Sequence, residues 1–241
     1  MSRGATVRER LRGLVPSRVR QSLYEWHPGR ERRWRRFPAI ERLPDGRGGA
    51  VLTLDDGPDD DATPAIVDAL GTAGIRATFF FLAEQVERHP AVALEVLERG
   101  HEIALHGHRH SRHDRLGPEE SRADLVHGLR VLEERLGVRP RWFRPPYGKM
   151  SDAVISTCRE LGMSPVYWSA WGLDWEDIPA ERVAAVTCSK LERGSIVLLH
   201  DSARYARRPS ARPTADAIPE IARFARQHDL ALLPLGEAVG A

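Results

Sequence analysis

From residue 50 onward, short apolar runs alternate with longer stretches whose apolar residues recur every three or four positions. The runs Ala50–Asp55, Ala77–Leu82, Glu102–Leu105, Trp142–Arg144, Pro165–Trp168, Ser195–Leu199 and Leu230–Leu233 are predicted strands. Between them, helices are predicted at about 61–73, 91–99, 118–136, 150–161, 181–193 and 214–228. The longest is the clearest: Leu125, Leu129, Leu132 and Leu136 share one face, Pro118 opens it and Gly137 follows it. Near-continuous apolar strands alternating with amphipathic helices predict a parallel sheet covered by helices. Seven strands suggest a barrel-like closure more than a six-stranded open sheet.

Residues 1–47 stand outside this rhythm and are set apart as a basic helical extension, with 48–241 as the barrel domain. Val7, Leu11 and Leu14, then Val19, Leu23 and Trp26, keep helical spacing around Pro16. Against many arginines, residues 3–36 hold only Glu9, Glu25 and Glu31. Two readings stay open: a helical arm packing on the barrel, or a basic amphipathic segment making peripheral contact with anionic lipid.

Composition narrows the class. A chain of 241 residues with 41% hydrophobic positions suits one α/β domain with a short extension. A net charge of +2 gives no case for nucleic-acid binding. Cys158 and Cys188 are far apart, without a CxxC pattern, and are expected as thiols on helices. No apolar run of about 18 residues exists to span a membrane. The N-terminus lacks the apolar segment of about 7–15 residues of a secretory signal. The expected location is the cytoplasm, with the inner membrane face open to the basic arm.

The candidate chemistry gathers at strand ends. Asp55 and Asp56 close the first strand, and Gly57-Pro58 turns the chain at once. In a continued strand the two carboxylates would point to opposite faces; the turn lets both reach one cavity. Adjacent carboxylates repel, so a cation or a hydrogen-bond donor is expected beside them. Five of the ten histidines lie within 101–113. His106 and His110 are four apart, which on a helical turn puts both rings on one side. A carboxylate with two imidazoles leaves open positions on an ion, the pattern of catalytic metal sites. His101 is expected to cap the helix ending at Gly100, with His108 and His113 behind the site or facing solvent. Arg144 to Tyr147, Trp168 to Trp175, and Leu198 to His200 also fall at or just past predicted strand ends, the edge where parallel α/β folds build active sites.

Taken in order, Thr53-Leu54-Asp55-Asp56-Gly57-Pro58, His106-xxx-His110, Arg144-Pro145-Pro146-Tyr147-Gly148, Asp174-Trp175 and Leu198-Leu199-His200 resemble the polysaccharide deacetylase (NodB-homology) family, carbohydrate esterase family 4. The resemblance runs from about 48 to 236. It implies an irregular (β/α) barrel that removes N-acetyl groups from amino sugars in glycans, oligosaccharides or glycoconjugates. It also implies a divalent metal, zinc first and cobalt or another divalent ion next, held by Asp56, His106 and His110. Asp55 is then the base that deprotonates the attacking water, paired with Arg144. His200 is the acid that protonates the leaving amine, supported by Asp174. The backbone N–H of Tyr147 helps stabilise the oxyanion, and Trp175 and Leu198 wall the acetyl methyl.

Two positions depart from the family pattern. Gly107 stands where Ser or Thr is usual, and Trp171 where a second aspartate is frequent. These motivate an alternative, a catalytically silent carbohydrate-binding protein on the same fold. A third reading, a non-haem iron oxygenase, shares the two-histidine, one-carboxylate ligand set but leaves Asp55 and His200 without roles. The expected cytoplasmic location favours an oligosaccharide, a precursor or a sugar on a natural product over mature cell-wall polymer.

Overall fold

The computed structural model describes residues 38–44 and 49–240. The expected arm, 1–47, therefore lies outside the described residues apart from 38–44, as does its membrane contact. Among the described residues no helix is long and apolar enough to cross a membrane.

The chain alternates as its pattern predicts. In order come β1 (Ala50–Asp55), α1 (Ala62–Ala73), β2 (Thr78–Phe81), α2 (Ala83–Arg88), α3 (Pro90–Glu98), β3 (Glu102–Leu105) and α4 (Pro118–Leu136). These are followed by β4 (Trp142–Phe143), α5 (Asp152–Leu161), β5 (Ser164–Pro165), β6 (Ala170–Trp171) and α6 (Ala180–Cys188). Then come β7 (Ile196–His200), α7 (Arg212–Gln227), β8 (Leu232–Leu233) and α8 (Leu235–Val239). All strand pairs are parallel, in the order β5-β4-β3-β2-β1-β7-β6, with β8 pairing the start of β1. The sheet curls into a half-barrel.

Alternation along β1 explains what each face carries. Ala50, Leu52 and Leu54 join Phe79, Phe81, Ile66, Leu70 and Ile218 in the core beneath the helices. Val51 faces the inside of the curl with Phe80, Ala104, Trp142 and Ile196, where Leu235 and Ala238 of α8 plug the base. Glu102 anchors that plug by accepting from Thr78 Oγ1, Trp142 Nε1 and the backbone N–H of Gly236. Two to four residues further along the same inward rows, Thr53, Asp55, His106 and Arg144 replace apolar side chains. An apolar base and a polar mouth thus follow from one period-two pattern.

Some elements differ from the sequence reading. The run Pro165–Trp168 is a strand only at its start, because beyond it the chain makes an isolated parallel bridge with residue 40, whose N–H donates to Pro165 O and whose carbonyl accepts the Tyr167 N–H. The additional strand β6 instead lies against β7. The helix predicted at 181–193 ends at Cys188, where Ser189 Oγ donates to Val186 O and the chain turns back toward β7. The short helices α2 and α8 carry too few turns to show a period. Cys158 is buried on α5 and Cys188 is half-buried on α6.

Candidate active site

Register brings the chemistry to one edge. Asp55 is paired with His200 across β1 and β7, and Leu105 with Phe143 across β3 and β4. His106 and Arg144 are the next residues, and the Arg144 N–H bonds Leu105 O. Asp56 takes a left-handed conformation, φ 83°. That turn sets both carboxylates against the same ring: His106 Nε2 lies 3.3 Å from Asp56 Oδ1 and 4.0 Å from Asp55 Oδ2. His110 Nε2 lies 3.2 Å from the same Asp56 oxygen.

The histidine pair is not on a helical turn, contrary to the sequence expectation. Residues 106–112 form a loop, and Gly107 at φ 103° bends it so that 106 and 110 converge. The first two N–H groups of α2, Ala83 and Glu84, donate to Gly107 O and His108 O. From the opposite side, Asp124 of α4 accepts the N–H groups of His108 and Arg109 at 3.0 and 3.1 Å. A Cβ on Gly107 would stand 2.8 Å from Asp124 Oδ2, so the family's hydroxyl residue would have to push that carboxylate aside. Asp124 does the bracing instead.

The donor set fits a dication. A carbonyl only accepts, so the 2.8 Å contact of His106 Nδ1 with Arg144 O fixes the proton on Nδ1 and leaves the Nε2 lone pair facing Asp56. Asp56 Oδ1 is buried, and the Nε2 atoms of both histidines lie within 3.3 Å of it. Lone pairs of oxygen and nitrogen converging in a buried site call for positive charge between them. Burial raises the Asp56 carboxyl, but the charge of His110 and contacts with both imidazoles carry it well below its usual range. Tyr205 stacks on the His110 ring at 4.0 Å between centroids, and its hydroxyl donates to Glu84 Oε1. Tyr147 meets the same ring edge-on at 4.3 Å and is the exposed aromatic of the mouth.

Asp55 is held from behind. The fully buried Arg144 guanidinium donates through Nη1 to Asp55 Oδ1 and Thr53 Oγ1, both at 2.7 Å, and through Nη2 to Tyr167 O. It stacks over the Phe80 ring at 4.1 Å. The turn after Asp56 is fastened by Asp201, which accepts the Gly57 N–H at 2.9 Å and the Thr63 hydroxyl at 2.7 Å. Any Cβ on Gly57 would overlap that carboxyl. Burial, aided by the charges of Asp56 and Asp59, pushes Asp201 up to about 8.

The second acid–base pair is equally anchored. Asp174 accepts from His200 Nδ1 at 2.9 Å, from the His200 N–H at 2.8 Å, and from Thr214 Oγ1 at 2.8 Å. The buried Arg208 donates to His200 O and Thr214 Oγ1 and lies 3.4 Å from Asp174. Burial favours a neutral Asp174, yet the charges of His200 and Arg208 and these hydrogen bonds hold its pKa below the usual value. Burial likewise pulls His200 down. The charge and hydrogen bond of Asp174, then the charges of Asp56 and Asp55, outweigh it and raise the imidazole to about 9. The Trp175 ring stands edge-on to His200 at 5.8 Å, and Leu198 is buried two residues before it.

As expected, His101 caps α3, its backbone N–H bonding Val96 O just past Gly100 at φ 79°; its buried ring also accepts the Ala77 N–H and so fixes the entry to β2. His113 is fully buried under the loop, and burial depresses it to about 4. Trp171, the second departure from the pattern, is a buried strand residue with Lys190 over its ring. Sequence reasoning missed Arg208, Thr214, Asp124 and Asp201. For Asp201 a signal existed: a second acid-base residue directly after an apolar strand and its histidine.

A parallel α/β half-barrel that gathers a carboxylate–imidazole donor set, a braced carboxylate and a braced imidazole at its C-terminal edge defines a hydrolase built around a metal-type centre. The polysaccharide deacetylase family profile matches residues 43–166, more than half of the chain. The chain belongs to that family, with the NodB-homology fold of carbohydrate esterase family 4. A peptidoglycan-N-acetylglucosamine deacetylase of Bacillus cereus is 33% identical over 182 residues, 74% of this chain and 84% of the relative. Another from the same organism is 29% identical over 175 residues, 70% of this chain; the chain spans 64% of that relative's length. The crystal structure of the Bc1960 peptidoglycan N-acetylglucosamine deacetylase superposes with a TM-score of 0.77 at 25% identity, covering 82% of this chain and 91% of that one.

Proposed function

We propose that this protein hydrolyses the N-acetyl group of N-acetylglucosamine residues in a glycan or oligosaccharide, with Asp55 as base and His200 as acid around a dication held by Asp56, His106 and His110. The carrying observation is that Asp55 and Asp56 face the same His106 nitrogen while His200 lies in register with Asp55 on the adjacent strand. The chemistry a zinc-class ion supplies there is Lewis acidity, lowering the pKa of a water toward about 7 and polarising the amide carbonyl.

Asp55 receives the proton of the attacking water. Arg144 occupies its Oδ1, which aims the carboxylate and leaves Oδ2 toward His106. As the carbonyl becomes tetrahedral, the Tyr147 backbone N–H is assigned to the developing oxyanion. Tyr147 is held there at φ 59° by the Pro145-Pro146 segment before it. His200 uses Nδ1 to bond Asp174, so Nε2 delivers the proton without which the amine leaves poorly. Trp175 and Leu198 are assigned to the apolar wall around the acetyl methyl. A silent sugar binder would need neither the braced base nor the braced acid, and an iron oxygenase would use neither.

The test is acetate release by zinc-loaded protein from chitin oligomers, peptidoglycan fragments and small N-acetylated glycosides. Turnover of at least one, abolished by a chelator and restored by zinc, is expected; no release from any would overturn the reading. Relatives named for peptidoglycan support adding that polymer to the oligosaccharide, precursor and natural-product sugars expected from the sequence.

A pH profile checks the acid. His200 must be protonated to act, so turnover falls as pH rises through its pKa. Asp174→Asn removes the charge that raises this pKa, and the descending limb is expected to move at least about one unit toward lower pH. An unmoved limb in zinc-loaded Asp174→Asn would remove His200 from the role of acid.

A further inference from the structure

Among the described residues two groups of metal-type donors converge, and the deacetylation site uses only one. The other is Glu87 on α2, His108 on the loop after β3 and His127 on α4, with donor atoms all within 4.8 Å of one another. The two rings meet edge to face at 4.2 Å between centroids. His108 Nδ1 is buried and makes no hydrogen bond. His127 Nδ1 lies 3.1 Å from Arg130 Nη2, and because a guanidinium only donates, that nitrogen carries a lone pair, which a cation would take over from Arg130.

We propose that Glu87, His108 and His127 form a second divalent-cation site, of the imidazole–carboxylate class that suits zinc. Donors about 2.0–2.1 Å from a tetrahedral zinc stand closer together than 4.8 Å, and the exposed Glu87 side chain swings in to close that gap. The ion joins the loop to the same two helices that already grip it, α2 through its N–H groups and α4 through Asp124. It therefore fastens the segment carrying His106 and His110 from outside, without touching the reacting groups. Arg130, a cation beside His127, weakens the site.

Zinc titration of the full-length, chelator-stripped protein by calorimetry tests this independently of any deacetylase activity. Wild type is expected to bind one ion more than Glu87→Gln and one more than His127→Ala, and both variants keep the ion bound through Asp56. Asp56→Ala loses the inner ion alone, and zinc still raises its Tm; in Asp56→Ala/His127→Ala that rise disappears. Arg130→Ala is expected to tighten the outer site severalfold. Equal zinc stoichiometry in wild type, Glu87→Gln and His127→Ala overturns the proposal.

Discussion

Asp55→Asn is expected to lower turnover of an N-acetylated oligosaccharide by about 10²–10⁴-fold, the usual contribution of a positioned base, while zinc binds in wild-type amount. Asparagine has nearly the same shape, and its amide oxygen can still accept from Arg144 Nη1. Thr53 and Tyr167 O continue to hold the guanidinium. What is lost is the ability to take a proton beside His106 Nε2. Turnover and zinc content measured on one preparation separate the roles of the two adjacent aspartates. Activity within a few-fold of wild type would remove Asp55 from the mechanism.

Asp56→Ala is expected to lose both the inner ion and all detectable turnover. Groups that merely hydrogen-bond to metal ligands cost about 10–100-fold in affinity when removed, and a carboxylate shared by two imidazoles costs more. Aspartate tolerates the φ of 83° at this position better than alanine does, so a modest drop in Tm accompanies the variant. His110→Ala carries no such strain and is expected to show the same loss of ion and activity. Retention of the inner ion in both would contradict the ligand assignment.

The fold was legible because the physics behind it is local. Period-two and period-3.6 patterns placed β1, β3 and α4 within a residue or two, and the end of each strand marked where a polar side chain meets the mouth. Asp55, His106, Arg144 and His200 could therefore be gathered before any coordinates. The loop shape could not. A four-residue histidine spacing is equally met by a helix and by a loop bent at Gly107, and only the contact with Asp124 decides between them. Asp124 reads as one more charge on a helix rich in Glu and Arg. Arg208 and Thr214 reach Asp174 from the segment after β7 and the start of α7, where no period or motif announces them. Braces such as these act through contacts between distant segments, which spacing along the chain does not encode.

Diffraction from crystals grown with zinc, collected at the zinc absorption edge, tests the central claim most directly. An anomalous peak enclosed by Asp56, His106 and His110, with Asp55 and His200 both bordering it, is the predicted result. A peak absent from that cluster, with zinc bound only elsewhere on the chain, would contradict the account.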